Sequence, residues 1–216
     1  MNFLSHYYFD NKPNNPYFNL GLIFPDLVRN FVKGSKLNLN IDPPVNDLEL
    51  SLLKGCIQHV QSDKTFHAWD GFHEAMNFVT QSIRTSSTEI PKDWFVSHIL
   101  VELAIDRFLL IQNPNLAKKL YTEYNLVDSK VLQSFLSKNE FDNFELFEEG
   151  FTRFKEIQYL NSYTEIDNIV YALGKICTKM RLQPFSEEQK MLLSSIITNL
   201  DKQLPSLIEE LEVELK

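Results

Sequence analysis

The chain reads as an all-α protein, a single-domain helical bundle, and three observations support that. Only 6 glycines and 9 prolines in 216 residues leave few of the tight turns that a β-sandwich or barrel needs. Leu, Ile, Phe, Glu, Lys and Asn dominate, and the second half is rich in helix formers. In that half Phe141, Phe144, Phe147, Phe151 and Phe154 recur three or four residues apart, the spacing of a core-facing helical stripe. A length of 216 residues suits one substantial core, so one domain is expected over 1–216. Within it, 1–112 carries the chemistry and 113–216 is helical scaffold.

The pattern predicts helices near 18–33, 46–66, 68–84, 92–111, 115–124, 128–138, 141–160, 164–181 and 187–213. Each break has a local cause. Gly34 follows Lys33, as at a helix C-terminus, and 41–46 is a loop whose last residue, Asn46, is an N-cap. Thr85-Ser86-Ser87-Thr88 and Asn113-Pro114-Asn115 are polar interruptions, and Ser186 caps the last helix. Pro25 interrupts an otherwise helical run and is expected to bend it, turning Asp26 inward from apolar surroundings.

The formal net charge of −8 is spread along the chain, with 9 basic and 12 acidic residues in 1–110 and 12 and 17 in 111–216. No element carries the basic excess of a general nucleic-acid binder, so no nucleic-acid partner is expected. Cys56 and Cys177 stand far apart, as buried thiols in a reducing compartment would. The first residues lack a charged start and a continuous apolar stretch, and no window is apolar enough for a membrane span. A cytoplasmic location is therefore expected.

All five histidines precede residue 100. His59, Asp63 and His67 are spaced i, i+4, i+8, which stacks imidazole and carboxylate on one helical stripe. His98, Glu102 and Asp106 repeat that spacing within a strongly apolar helix. Such pairs suit a divalent cation, though the alternatives are a solvated polar face for the first and ion pairs with Arg107 and Arg84 for the second. Asp26 and His6 add further candidate ligands, and a site built from several helices needs contributions of this kind.

The opening Asn2-Phe3-Leu4-x-His6, followed by Gly21, Asp26, Val28 and Lys33-Gly34, resembles the acyl carrier protein phosphodiesterase family. That family begins Asn-Phe-Leu-x-His and continues Gly-Asn-x-x-x-Asp-Phe-Val-(Arg/Lys)-Gly; here a few residues are inserted before the Lys-Gly. Gly55, Ile57, His59 and Asp63 are similar to its Gly-Ile-x-x-His-x-x-x-Asp segment, with Ile57 one place late, and Asp106-Arg107-Phe108-Leu109 to its Asp-His-Phe-Leu helix. The likeness covers roughly 1–112 and fades beyond it.

The resemblance implies an HD-like helical fold and a phosphodiesterase that uses a divalent metal. The metal is most often Mn²⁺, with Mg²⁺, Fe²⁺ or Zn²⁺ as alternatives. The reaction releases 4'-phosphopantetheine from holo-acyl carrier protein. It implies that Asp26, His59, Asp63 and Asp106 are metal or catalytic residues, with Asp26 and Asp63 as the catalytic acids. His6 is then a ligand or a support for one, and His67 or His98 completes the set. Arg29 and Lys33, one and two turns beyond Asp26, are expected to receive a phosphate or an acidic partner. The chain departs from the family at Val60, where the family has Arg, at His67, where it has an acid, and at Arg107, where it has His. Two other functions fit the same residues: a helical binding protein of this fold without turnover, and a metal phosphohydrolase of a small nucleotide or lipid phosphate.

Overall fold

Apolar stripes at helical spacing need partners to cover them, and the computed structural model, which describes residues 1–40, 46–139, 141 and 143–215, pairs them helix on helix. The described residues form twelve α-helices, a 3-10 helix at Tyr159–Thr164 and no strand, so the all-α expectation holds. The helices are α1 (Phe3–Asp10), α2 (Pro16–Gly21), α3 (Phe24–Phe31), α4 (Asp47–Ala68), α5 (Asp70–Arg84) and α6 (Asp93–Gln112). They continue as α7 (Leu116–Tyr124), α8 (Ser129–Ser137), α9 (Phe144–Ile157), α10 (Ile166–Lys179), α11 (Glu187–Leu200) and α12 (Leu204–Glu214). They divide into two compact units: Met1–Ser5, Lys64–Pro114 and Ser162–Lys216 make one, and His6–Asp63 with Asn115–Asn161 make the other.

In the first unit α6 is the central element. Val96, Ser97, Leu100, Val101, Leu103, Ala104, Ile105, Leu109 and Leu110 are buried around most of its circumference, as in a helix packed on several sides. Against it lies α5, whose buried Phe72, Ala75, Val79, Thr80 and Ile83 form one stripe, and α10, α11 and α12 cover further faces. The Thr80 hydroxyl donates to Ser97 Oγ at 2.8 Å, which satisfies two polar groups inside this contact.

The second unit is built on aromatic packing. The predicted Phe stripe sits on α9, where Phe144, Phe147, Phe151 and Phe154 are buried while Phe141, ahead of the helix, is half-buried. Phe147 meets Phe24 edge-on at 5.2 Å, and Phe24 also meets Phe135 at 5.9 Å. Asn19 ties α2 to α7: its amide donates to Glu123 Oε2 at 2.6 Å, and its carbonyl accepts from the Tyr124 hydroxyl at 3.0 Å.

Several boundaries differ from the sequence pattern for identifiable reasons. The run 18–33 is two helices, because Pro25 has no N–H to continue the ladder and instead takes a place in the first turn of α3. Pro205 likewise starts α12 after a turn at Asp201–Gln203, splitting 187–213. Left-handed Gln158 ends α9, and the 3-10 helix follows. The helix α1 carried no pattern signal, since Phe3, Leu4, Ser5, His6 and Tyr7 are all buried and leave no polar face.

The two N-cap assignments hold: Asn46 accepts from Leu48 N and Glu49 N, both at 3.0 Å, and Ser186 forms a capping box with Gln189. Gly34 does not end the helix as expected: α3 stops at Phe31 with extended Val32 as its C-cap, and Gly34, at φ +86°, makes the turn beyond it. Residues 41–45 of the predicted loop lie outside the described residues. Cys56 and Cys177 are free and buried.

The backbones of α2 and α4 approach closely at two glycines of the second unit. A Cβ on Gly55 would lie 2.1 Å from the Phe18 carbonyl oxygen and 2.8 Å from Gly21 Cα, so only glycine lets these backbones meet. Gly55→Ala is expected to destabilise the protein by at least about 2 kcal/mol in chemical denaturation, since backbone on both sides cannot yield. Gly174→Ala on α10 is the control. Its Cβ meets only the Phe185 ring, at 3.6 Å, and the gain in helix propensity should stabilise by up to about 1 kcal/mol.

Candidate metal centre

The Gly21–Gly55 contact decides where His59 sits, because His59 is one turn beyond Gly55 and Leu22 directly follows Gly21. His59 Nδ1 lies 2.8 Å from the Leu22 carbonyl oxygen. A carbonyl only accepts, so Nδ1 carries a proton, and in the neutral ring this leaves the lone pair on Nε2, the tautomer in which imidazole binds a metal. That lone pair faces two carboxylates: Asp63 Oδ2 is 3.7 Å away and Asp26 Oδ1 is 4.0 Å away.

His6, from α1, closes the group. Its ring centroid is 4.3 Å from that of His59, and Nε2 is 3.1 Å from Asp63 Oδ1, outside hydrogen-bonding alignment. The His6 side chain is 0 % exposed and neither ring nitrogen has a hydrogen-bond partner. Buried polar atoms are nearly always satisfied, so such a ring is suited to a metal. One ligand atom each from His6, His59 and Asp63 lies within 4.8 Å of the others. These two imidazoles and one carboxylate form a group that could hold a metal ion, with the Asp26 carboxylate 4.0 Å from His59 Nε2.

The electrostatics follow from burial and proximity. Burial holds His6 neutral, lowering its pKa from 6.5 to about 3 despite the neighbouring Asp63 carboxylate. Burial would raise Asp63, yet the groups around its carboxylate oppose this strongly enough to hold it well below the usual carboxylate range. Asp26 is raised by burial, against the opposing pull of His59.

A pocket of about 230 Å³ opens above these groups, lined by Pro25, Arg29, Lys36, Leu37, Leu39, His59, Val60 and Asp63. Of the two expected anion-binding residues, Arg29 lines it and stands 3.6 Å from Asp26, whereas Lys33 is exposed and does not. Lys36, in an irregular segment beyond α3, lines the same pocket as Arg29.

The other expected ligands are placed differently. His67 and His98 join Glu102, each with Nε2 near Oε1, at 3.1 and 3.0 Å. Arg107 and Arg84, the alternative partners for these acids, pair instead with Asp201 and Asp93. Asp106 belongs to neither ligand group among the described residues. Its buried carboxylate accepts from Leu4 N at 3.0 Å, from Ser5 N at 2.7 Å and from the Ser5 hydroxyl, and so caps the first turn of α1. Burial pushes Asp106 up to about 7 against these three donors. Comparison with protein-family models, curated proteins and solved structures finds no match to this chain.

Two outcomes follow. His6 binds a proton in the unfolded chain below pH 6.5 but not in the folded one until about pH 3, so its contribution is present above 6.5 and is lost as pH falls. Metal-free protein should lose roughly 3 kcal/mol of stability from this residue between about pH 6.5 and 4, and His6→Leu should flatten that limb of a denaturation series. Asp106→Asn should cost about 1–3 kcal/mol by turning an amide toward a buried N–H, while leaving Mn²⁺ affinity measured by calorimetry unchanged.

Proposed function

We propose that this chain is a metal-dependent phosphodiesterase whose centre is His6, Asp26, His59 and Asp63. The observation that carries the reading is the bare His59 Nε2 facing Asp63 and Asp26, beneath a pocket walled by Arg29 and Lys36. His6, His59 and Asp63 would hold a cation there, and it would supply Lewis-acid activation of water and offset charge on a phosphodiester. Arg29 and Lys36 receive the non-bridging phosphate oxygens, and their fixed positive charge favours the transition state as negative charge spreads over those oxygens. Asp26, raised by burial and outside the group of converging ligand atoms, is matched to taking a proton from the attacking water at Oδ1. Water adds to phosphorus, the bond to the leaving oxygen breaks, and that oxygen is protonated from solvent.

The substrate in this reading is holo-acyl carrier protein, on the strength of the family resemblance over 1–112 and of the HD-like helical fold it implies. Val60, where that family has Arg, stands at the pocket wall, and Lys36 supplies a cation on the same pocket. Exposed Lys33 adds positive charge close by for an acidic carrier.

The test is release of 4'-phosphopantetheine from holo-acyl carrier protein, with bis(p-nitrophenyl) phosphate as a small comparison substrate, both with Mn²⁺. The expected result is Mn²⁺-dependent release that Asp26→Ala lowers by a factor of about 100 or more. Arg29→Glu with Lys36→Glu should raise KM for the carrier, with a deficit that shrinks as salt is added. Cleavage of the small diester alone would move the substrate to a small phosphate compound. Mn²⁺ binding without turnover of either would leave a binding protein.

A further inference from the structure

The first unit holds a second cluster that the hydrolytic reading does not use. His98 and Glu102 stand one turn apart on α6, and His67 comes from the last turn of α4. The two imidazole Nε2 atoms converge on a single carboxylate oxygen, Glu102 Oε1, at 3.0 and 3.1 Å, and one ligand atom of each residue lies within 4.8 Å of the other two. The rings are 4.9 Å apart and tilted by 32°. The Phe72 ring holds both at 5.3 and 5.1 Å, and Phe66 stands edge-on to His67 at 5.4 Å. Aromatic walls of this kind fix the imidazole rotamers before any ligand arrives.

We propose that His67, His98 and Glu102 form a second divalent-metal site, of Zn²⁺ type. Two imidazoles and one glutamate are a three-ligand set that leaves a fourth tetrahedral position open. The burial agrees with that opening: Glu102 is 12 % exposed at the base, while His67 and His98 are 36 % and 31 % exposed on the solvent side. The Met1 amino group lies 3.4 Å from the same Glu102 oxygen, a contact that a bound dication replaces. The competing explanation is that the two imidazoles only satisfy a buried glutamate.

Zn²⁺ titration of chelator-treated full-length protein by calorimetry separates these, in a His59→Ala background where the other centre is disabled. That variant should bind one Zn²⁺, and adding His98→Ala should weaken the binding by more than about 100-fold, beyond what loss of a supporting outer partner does. Co²⁺ in place of Zn²⁺ should give an intense tetrahedral visible band that His98→Ala removes. Circular dichroism confirms that each variant is folded, and His98→Gln repeats the measurement if His98→Ala is not. Absence of Zn²⁺ binding by His59→Ala, or binding that both His98 variants leave unchanged, would overturn the proposal. Because no turnover is measured, failure here is separate from failure of the hydrolytic reading.

Discussion

The candidate centre of the second unit depends on the approach of α2 to α4 at Gly21 and Gly55. Without side chains at either position the two backbones meet, and the Leu22 carbonyl comes within hydrogen-bonding reach of His59 one turn along α4. That one bond selects the tautomer, the ring orientation and the direction of the Nε2 lone pair. The chemistry of the imidazole is thus set by two residues that contribute no functional group.

The helix break at Leu22–Ile23 serves the same end. A continuous helix through Pro25 would lack a backbone hydrogen bond and crowd the preceding turn. Restarting as α3 puts the proline where its missing N–H costs nothing and leaves Asp26 in the first turn, facing His59. An acid in the first turn of a helix is also favoured by the helix dipole, which offsets part of the cost of burying it. The question of why a carboxylate sits among Leu20, Ile23 and Phe24 therefore has a structural answer: the apolar neighbours form the core, and the break presents Asp26 to the histidine.

What the sequence made legible was local. The i, i+4 spacing of His59 and Asp63, the caps at Asn46 and Ser186, and the Phe stripe of α9 all follow from helical periodicity, and the structure places them accordingly. What it hid was long-range. Asp106 has the spacing of a ligand to His98 and Glu102, yet it is turned to the amides of Leu4 and Ser5, about a hundred residues away. Nothing in a linear pattern distinguishes a carboxylate that binds a cation from one that binds two N–H groups. Glu102 shows the converse, since it stands between two recognised candidates and draws His67 and His98 together. Lys36 reads in the sequence only as one of a small basic patch with Arg29 and Lys33, because an irregular segment has no periodicity from which to infer a facing direction.

The capping of α1 by Asp106 has a consequence for the order of folding. A helix of 8 residues is too short to persist alone, and its first amides find their acceptor only when α6 has formed and closed a loop of about a hundred residues. Contacts at such separation come late along a folding route, after the entropy of loop closure has been met. The chain's first helix is therefore among its last to become ordered. His6 rides on that helix, so the first candidate ligand in the sequence is among the last to reach its place, and a partly folded chain holds an incomplete candidate centre.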